Sequence, residues 1–426
     1  MQAPIREQEH EVGLREPKGS ITPHLFLLAC QVALLAGPRF RGRRHLACGL
    51  VVGLAVACHM NQFTQNLALA NLFSLAWPHY LTTFINFAFA SYDGPEADLW
   101  PVDDAPRVAT TWAAFSGRKV SWALSTMINL RGVQWSYEVP HLPRRVSEGV
   151  REPRAKFLLL QLVDLGWMLL MSDMISRLGL KLFFTDPATG SIHLNSRFLT
   201  LRSSNPLWSI AKAFIFGAGP YFFINAQYVA CSVLAVALGL GAPKDWPPLF
   251  GKLSEAWTVR RFWNRFWHQM IRRPLTALSE AAVSHMNIEK GSTTSTYLRL
   301  WIAFAISGIM HAGSMVILPS PANLTLADRT VGIFCFFVWQ AVAITLEDLM
   351  QWVWKLSRDR VGGQPVASSS PPLWVTVLGY VWVVASFWFS LPMAGGVMLK
   401  LRMGQDTPLP VSAFGWLINH VRAPLD

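Results

Sequence analysis

The stretch "YLRLWIAFAISGIMHAGSMVIL", residues 297–318, is apolar almost from end to end. A membrane-crossing helix needs about 20 such residues, so this run is long enough to span a bilayer. His311 interrupts it well past the start, where an ionisable side chain costs about 3 kcal/mol or more unless it meets a cavity or a partner. Gly308 and Gly313 flank it and leave room for a close backbone or a ligand. Two readings follow. The histidine either hydrogen-bonds a neighbouring helix and does no more, or it performs chemistry in a dry site.

Composition points the same way. Of 426 residues, 52% are hydrophobic and only 15% charged, with a positive mean hydropathy, which excludes an ordinary water-soluble protein. Nineteen Trp and 26 Phe fit the aromatic belts of a bilayer. The five cysteines lie in apolar stretches without CxxC or zinc-finger spacing and read as core residues. The first twenty residues are polar and mixed in charge, so no cleavable signal is expected, and 21–37 reads as an uncleaved first span.

Apolar runs predict further spans near 45–60, 66–90, 157–177, 221–240, 330–352 and 373–395. The expected fold is therefore an all-α polytopic membrane protein with about eight transmembrane helices, within a range of 7–10, and interfacial helices. Residues 207–240 are broken by "GAGP" at 217–220 and read as an interfacial segment followed by one span. No period of 20–50 residues repeats, which argues against a solenoid and lends no support to a duplicated carrier.

Arg39, Arg41, Arg43 and Arg44 mark a cytosolic loop. Alternation then places 91–156, 241–296 and 353–372 on the same side, the first two carrying nine and eight Lys and Arg. The "NLT" sequon at Asn323 falls in a short lumenal loop. The chain divides into a polar tail at 1–20, first helices at 21–90, a cytosolic segment at 91–156, a membrane domain at 157–400 and a tail at 401–426. His79, Asp164 and Asp173 read as packing or helix-pairing residues, with a kink at Pro78 freeing a carbonyl for His79, and Glu347 and Asp348 as solvated groups near the cytosolic end.

The second informative stretch is "WPPLFGKLSEAWTVRRFWNRFWHQMIRR", residues 246–273. Pro247 and Pro248 hold the chain extended, Gly251 permits a turn, and Ser254 reads as the N-cap of a helix. On that helix Phe262 with Phe266 and Trp263 with Trp267 form an aromatic stripe, while Arg260, Arg261, Arg265, Arg272 and Arg273 cover the rest. This is the pattern of a helix lying in the membrane surface. His268 stands four residues after Asn264, where the stripe ends.

Together, "WPPLFG", "RRFWNRFWHQ" and, 43 residues after His268, "SGIMHAG" resemble the wax synthase branch of the membrane-bound O-acyltransferase superfamily. Within that branch the chain is similar to fungal terpenoid and meroterpenoid acetyltransferases, over roughly 100–400, with "NLRGVQW" at 129–135 a further, less specific element. The resemblance implies that 157–400 is the catalytic membrane domain, a bundle enclosing a tunnel, and that His311 is the catalytic histidine. It pairs His311 with His268, at a place where wax-synthase-like members carry His and the superfamily elsewhere commonly carries Asn or Asp; this second residue positions acyl-CoA, orients His311 or is structural.

The chemistry agrees. An alcohol is a weak nucleophile toward a thioester, and a neutral imidazole that removes its proton during attack supplies what is missing. A dry site also limits hydrolysis. Acetyl-CoA arrives from the cytosol and a hydroxylated terpenoid-like acceptor from the lipid bilayer, so the site lies where the two routes meet. His311 and His268 are the catalytic candidates; Asn264, Trp267, Arg261 and Arg265 are candidates for holding substrate or the phosphates of CoA. No bound cofactor, metal or nucleic acid is expected, and no Ser or Cys with an adjacent base argues for an acyl-enzyme. The expected location is the endoplasmic reticulum. The alternatives are a long-chain wax ester synthase using fatty acyl-CoA and, from another class, a proton-coupled transporter in which His311 relays protons.

Overall fold

A computed structural model describes residues 13–143, 153–186, 189–192, 199–360, 372–405 and 412–415. The expected tails at 1–20 and 401–426, and the loop 353–372, lie partly outside them. The described residues are helical and contain no strand, only isolated bridges.

Four short helices come first: α1 (Thr22–Ala36), α2 (Arg43–His59), α3 (Leu67–Ser74) and α4 (Trp77–Ala88). The single span expected over 66–90 is thus two helices. Pro78 has no amide hydrogen to donate and stands in the first turn of α4, so the chain restarts there. Next come α5 (Gly117–Ile128), α6 (Arg154–Gly179), α7 (Pro206–Ala237), α8 (Arg272–His285), α9 (Thr293–Val316), α10 (Leu326–Arg360) and α11 (Leu373–Lys400).

Among the described residues five helices are long and apolar enough to cross a membrane: α6 with its π-helical extension to Phe184, α7, α9, α10 to Ser357, and α11. The chain is a polytopic membrane protein, and the count of eight spans is not confirmed: α1 and α2 have only 15 and 17 residues and α3 and α4 are shorter. The reading of 207–240 is corrected as well. One helix of 32 residues runs through "GAGP" with Pro220 inside it. Asn205 sets its start, its side chain accepting from the amides of Leu207 (3.0 Å) and Trp208 (3.3 Å). Surrounding helices make an interior proline tolerable in a membrane bundle.

The segments 91–143 and 238–292 share one end of the bundle and touch each other. Arg131 donates to the carbonyls of Pro248 (2.8 Å) and Pro247 (3.1 Å), and the Arg273 guanidinium lies 4.3 Å from the centre of the Tyr137 ring. At the opposite end Leu14 bridges to Pro321, Lys18 donates to Gln62 (2.8 Å), and Ala322, beside Asn323, donates to Gly13 (3.1 Å). Arg43, expected in a loop facing solvent, instead turns inward to the fully buried Glu96 (2.7 Å), which Lys119 also approaches (3.2 Å). The core between α9, α10 and α11 is built from Met315, Ile333, Phe336, Phe337 and Ala394. Gly308 lets it close: a methyl there would stand 3.0 Å from the Phe334 ring.

Candidate active site

His311 projects from the sixth turn of α9 onto its own backbone. Its Nδ1 is 2.8 Å from the carbonyl oxygen of Ser307, one turn earlier. A carbonyl only accepts, so Nδ1 carries the proton and Nε2, on the far side of the ring, keeps its lone pair. Phe337 of α10 stacks on the imidazole at 4.3 Å and Trp77 of α4 meets it edge-on at 5.0 Å. The ring therefore lies inside the bundle, not against lipid, and borders a cavity.

The cavity measures ≈ 2760 Å³, well beyond the 300–1,000 Å³ of common ligand sites. Its wall begins among the loops with Asp103, Trp246 and Leu253, passes His268 and His311, and ends at Met398 and Met403 near the opposite end. Residues 68–135 line it together with 207–403, so the chain before 157 helps to build it.

His268 is placed by a segment that departs from the single surface helix expected after Ser254. Ser254 sits in a short 3-10 turn, Leu253–Glu255. The helical start is Val259, where Thr258 caps Arg261 (3.0 Å) and the Glu347 carboxylate accepts from the amides of Val259 and Arg260. One α-turn passes into a π-turn, Phe262–Phe266, and ends at the extended Trp267. The Gln269 amide then donates to the carbonyls of Trp263 (2.9 Å) and Trp267 (2.6 Å), fixing the bend. The aromatic stripe exists, with Phe262 and Phe266 at 5.2 Å and Trp263 and Trp267 at 5.9 Å, but faces inward. Trp263 packs against Phe304, Phe337 and Phe387 and donates to Gln340 (3.2 Å). A tertiary carboxylate and an aromatic slot, both remote in sequence, override the surface-helix pattern.

Burial, followed by the charges of His311 and Arg131, lowers His268 to about 3, so the ring is neutral at working pH. Its Nδ1 is buried without a partner, which favours the proton on Nε2. Asn264 and Trp267 also line the cavity. Arg261 and Arg265 do not. Arg261 is held by the carbonyl of Glu255 (3.0 Å) and by the Trp257 ring (4.9 Å), and Arg260 pairs with Asp348. Arg272, absent from the shorter candidate set, does line the wall, donating to Gln269 Oε1 at 3.1 Å. Burial and then the charge of nearby Arg265 lower its basicity.

Two further residues were missed. Arg131 is 4% exposed, lines the cavity and donates to the Tyr228 hydroxyl (2.6 Å); its signal was "NLRGVQW". Glu347, read as solvated, is 6% exposed. His79 does bond a carbonyl, that of Met127 at 2.8 Å, and Asp173 accepts from Ser412 (2.9 Å). Among the described residues no group of three His, Cys, Asp or Glu is placed to hold a metal ion.

The helical bundle thus holds one large cavity with His311 and His268 on its wall. Residues 246–339 match the Membrane bound O-acyl transferase family, and 153–237 match the Aspirochlorine biosynthesis protein F C-terminal domain. The chain is 48% identical to Aspirochlorine biosynthesis protein F of Aspergillus oryzae over 226 residues, 53% of this chain and 87% of that protein. It is 31% identical to Acetyltransferase ataH of Aspergillus terreus over 301 residues, covering 68% of this chain and 92% of that protein. Against Acetyltransferase spyB of Aspergillus fumigatus it is 30% identical over 297 residues, spanning 66% of this chain and 47% of that longer relative. The chain belongs to the membrane-bound O-acyltransferase family and is an acyltransferase.

Proposed function

We propose that the chain transfers an acetyl group from acetyl-CoA to a hydroxyl of a terpenoid or meroterpenoid secondary metabolite, with His311 as general base. The observation that carries the reading is the His311 to Ser307 bond, which leaves Nε2 free to take a proton inside the cavity. Acetyl as the acyl group is supported by relatives named acetyltransferases, in preference to a wax ester synthase. A terpenoid-like acceptor accords with an apolar wall and with the resemblance of the motifs.

In this mechanism the acceptor oxygen attacks the thioester carbon as its proton passes to His311 Nε2. The tetrahedral oxyanion forms opposite His268, whose neutral ring donates from Nε2. The C–S bond then breaks and the coenzyme A thiolate takes the proton back from His311, so no net charge remains in the site. Transfer is direct, in a ternary complex. Arg272 and Arg265, rather than Arg261, hold the coenzyme phosphates, with Asn264 and Trp267 along the donor path. This requires the loop end to face the cytosol, in keeping with residence in the endoplasmic reticulum.

Membranes of a host lacking the protein, supplied with acetyl-CoA and an extract of hydroxylated terpenoids, test the proposal. Wild type should yield products one acetyl group heavier, and His311→Ala none at equal protein level. Equal turnover by His311→Ala would end the mechanism.

A further inference from the structure

Charge is confined to one end of the cavity. Its charged lining residues among those described, Asp103, Arg131, Asp245 and Arg272, all belong to the two loop segments. Beyond His311 the wall includes Phe73, Met315, Ile333, Ala394, Met398 and Met403, with Asn71 and Ser314 as uncharged polar groups. Helix register fixes their place: Met315 lies in the last turn of α9, Met398 in the last turn of α11 and Ile333 in the second turn of α10. Met403 donates back to the Met398 carbonyl at 3.0 Å, holding both at that end. Met315 follows His311 by four residues, which places its Cβ about 5–6 Å away on the same helix face.

The chemistry of the two substrates assigns this space. An acetyl group is too small to use it, and a polyphosphate is excluded from an uncharged wall by desolvation. What remains is the carbon skeleton that carries the hydroxyl. Methionine suits it, because an unbranched, polarizable side chain follows an irregular outline better than a branched one.

We propose that the methionine-lined end of the cavity is the acceptor subsite, holding an apolar polycyclic or isoprenoid skeleton with its hydroxyl at His311, and that Met315, Met398 and Met403 set acceptor size. The proposal rests on the acetyl-transfer reading and adds the place and selectivity of the acceptor. The test uses the full chain in membranes, acetyl-CoA, and the same terpenoid extract, with acetylated products resolved by mass. Met398→Trp should suppress the larger products about tenfold relative to the smaller ones, while the KM for acetyl-CoA stays within about twofold of wild type. Met398→Ala, which removes bulk and guards against misfolding of the Trp variant, should move the product profile toward larger acceptors. An unchanged profile in both variants, or a rise in acetyl-CoA KM with no change of profile, overturns the subsite. Gain of palmitoyl-CoA as donor by Met398→Ala would overturn it too, assigning the space to an acyl chain. Failure of wild type to acetylate anything removes the underlying reading, and is distinguished because no variant is involved.

Discussion

The Glu347 carboxylate of α10 receives the backbone amide of Arg260 at 3.1 Å and that of Val259 as well, fastening the segment that bears His268 to the helix that stacks on His311. The neighbouring Asp348 pairs with the Arg260 side chain and accepts from Tyr297 of α9 at 3.0 Å. Two adjacent acids thus join three pieces of the site. Glu347→Ala leaves the buried amide of Val259 unpaired, at about 1–3 kcal/mol, together with the part-buried amide of Arg260, so melting temperature and acetyl transfer should both fall. Glu347→Gln, which keeps one acceptor, should lie between. Thermal unfolding in detergent beside product formation makes the comparison; a wild-type melt for Glu347→Ala would contradict it.

His268 supplies a pH dependence with a definite sign. Its folded value is about 3 against 6.5 when free, so between these limits the unfolded chain binds a proton that the folded chain refuses. The stability it confers is complete above 6.5 and is lost as pH falls toward 3. The melting temperature should therefore drop as pH is lowered from about 7 to about 5, and His268→Gln should flatten that slope. A slope unchanged by the substitution would show that another group governs it.

Arg272 lines the loop end of the site with Arg265 near it, whereas Arg261 is occupied by Glu255 and Trp257. Charge-assisted bonds to phosphate contribute about 1.5–3 kcal/mol each, so Arg272→Ala should raise the KM for acetyl-CoA about tenfold or more. Acetyl-pantetheine, which lacks the phosphates, should be used equally by wild type and variant. Steady-state kinetics with both donors decides the matter. An equal loss with both would assign Arg272 to the architecture of the bend instead, through Gln269.

The intramembrane histidine, the long apolar helices and the shared end of the two basic segments were legible because each is written locally, as a run length, an exception within it or a charge count. The bend at Trp267 was not. It depends on Glu347, 88 residues from Val259, and on Gln269 folding back to Trp263, neither of which helical periodicity encodes. Arg131 was hidden for a similar reason: its partners, Tyr228, Pro247 and Pro248, come from elements about a hundred residues away. The split of 66–90 was signalled by Pro78, but a proline in a membrane span reads equally as a kink.

Gly251 yields the last prediction, since its role differs from the turn its sequence neighbourhood indicates. Its amide donates to the carbonyl of Phe266 at 2.8 Å, so "WPPLFG" and "FWNRF" cross backbone to backbone. A methyl at Gly251 would stand 1.9 Å from the carbonyl oxygen of Arg265, a clash with main chain that no side-chain rotation relieves. Gly251→Ala must therefore push apart the loop whose prolines hold Arg131 and the π-turn that precedes His268. Gly313, two residues past His311, is the control. Nothing lies within 4 Å of a methyl built there, so Gly313→Ala should retain its melting temperature, and on a helix it gains about 1 kcal/mol of propensity. Gly251→Ala should lose most acetyl transfer and melt several degrees lower, as overpacking of about 1–3 kcal/mol requires. Parallel melts of the two variants decide it, and a Gly251→Ala protein as stable and active as Gly313→Ala would mean that the two motifs do not meet as described.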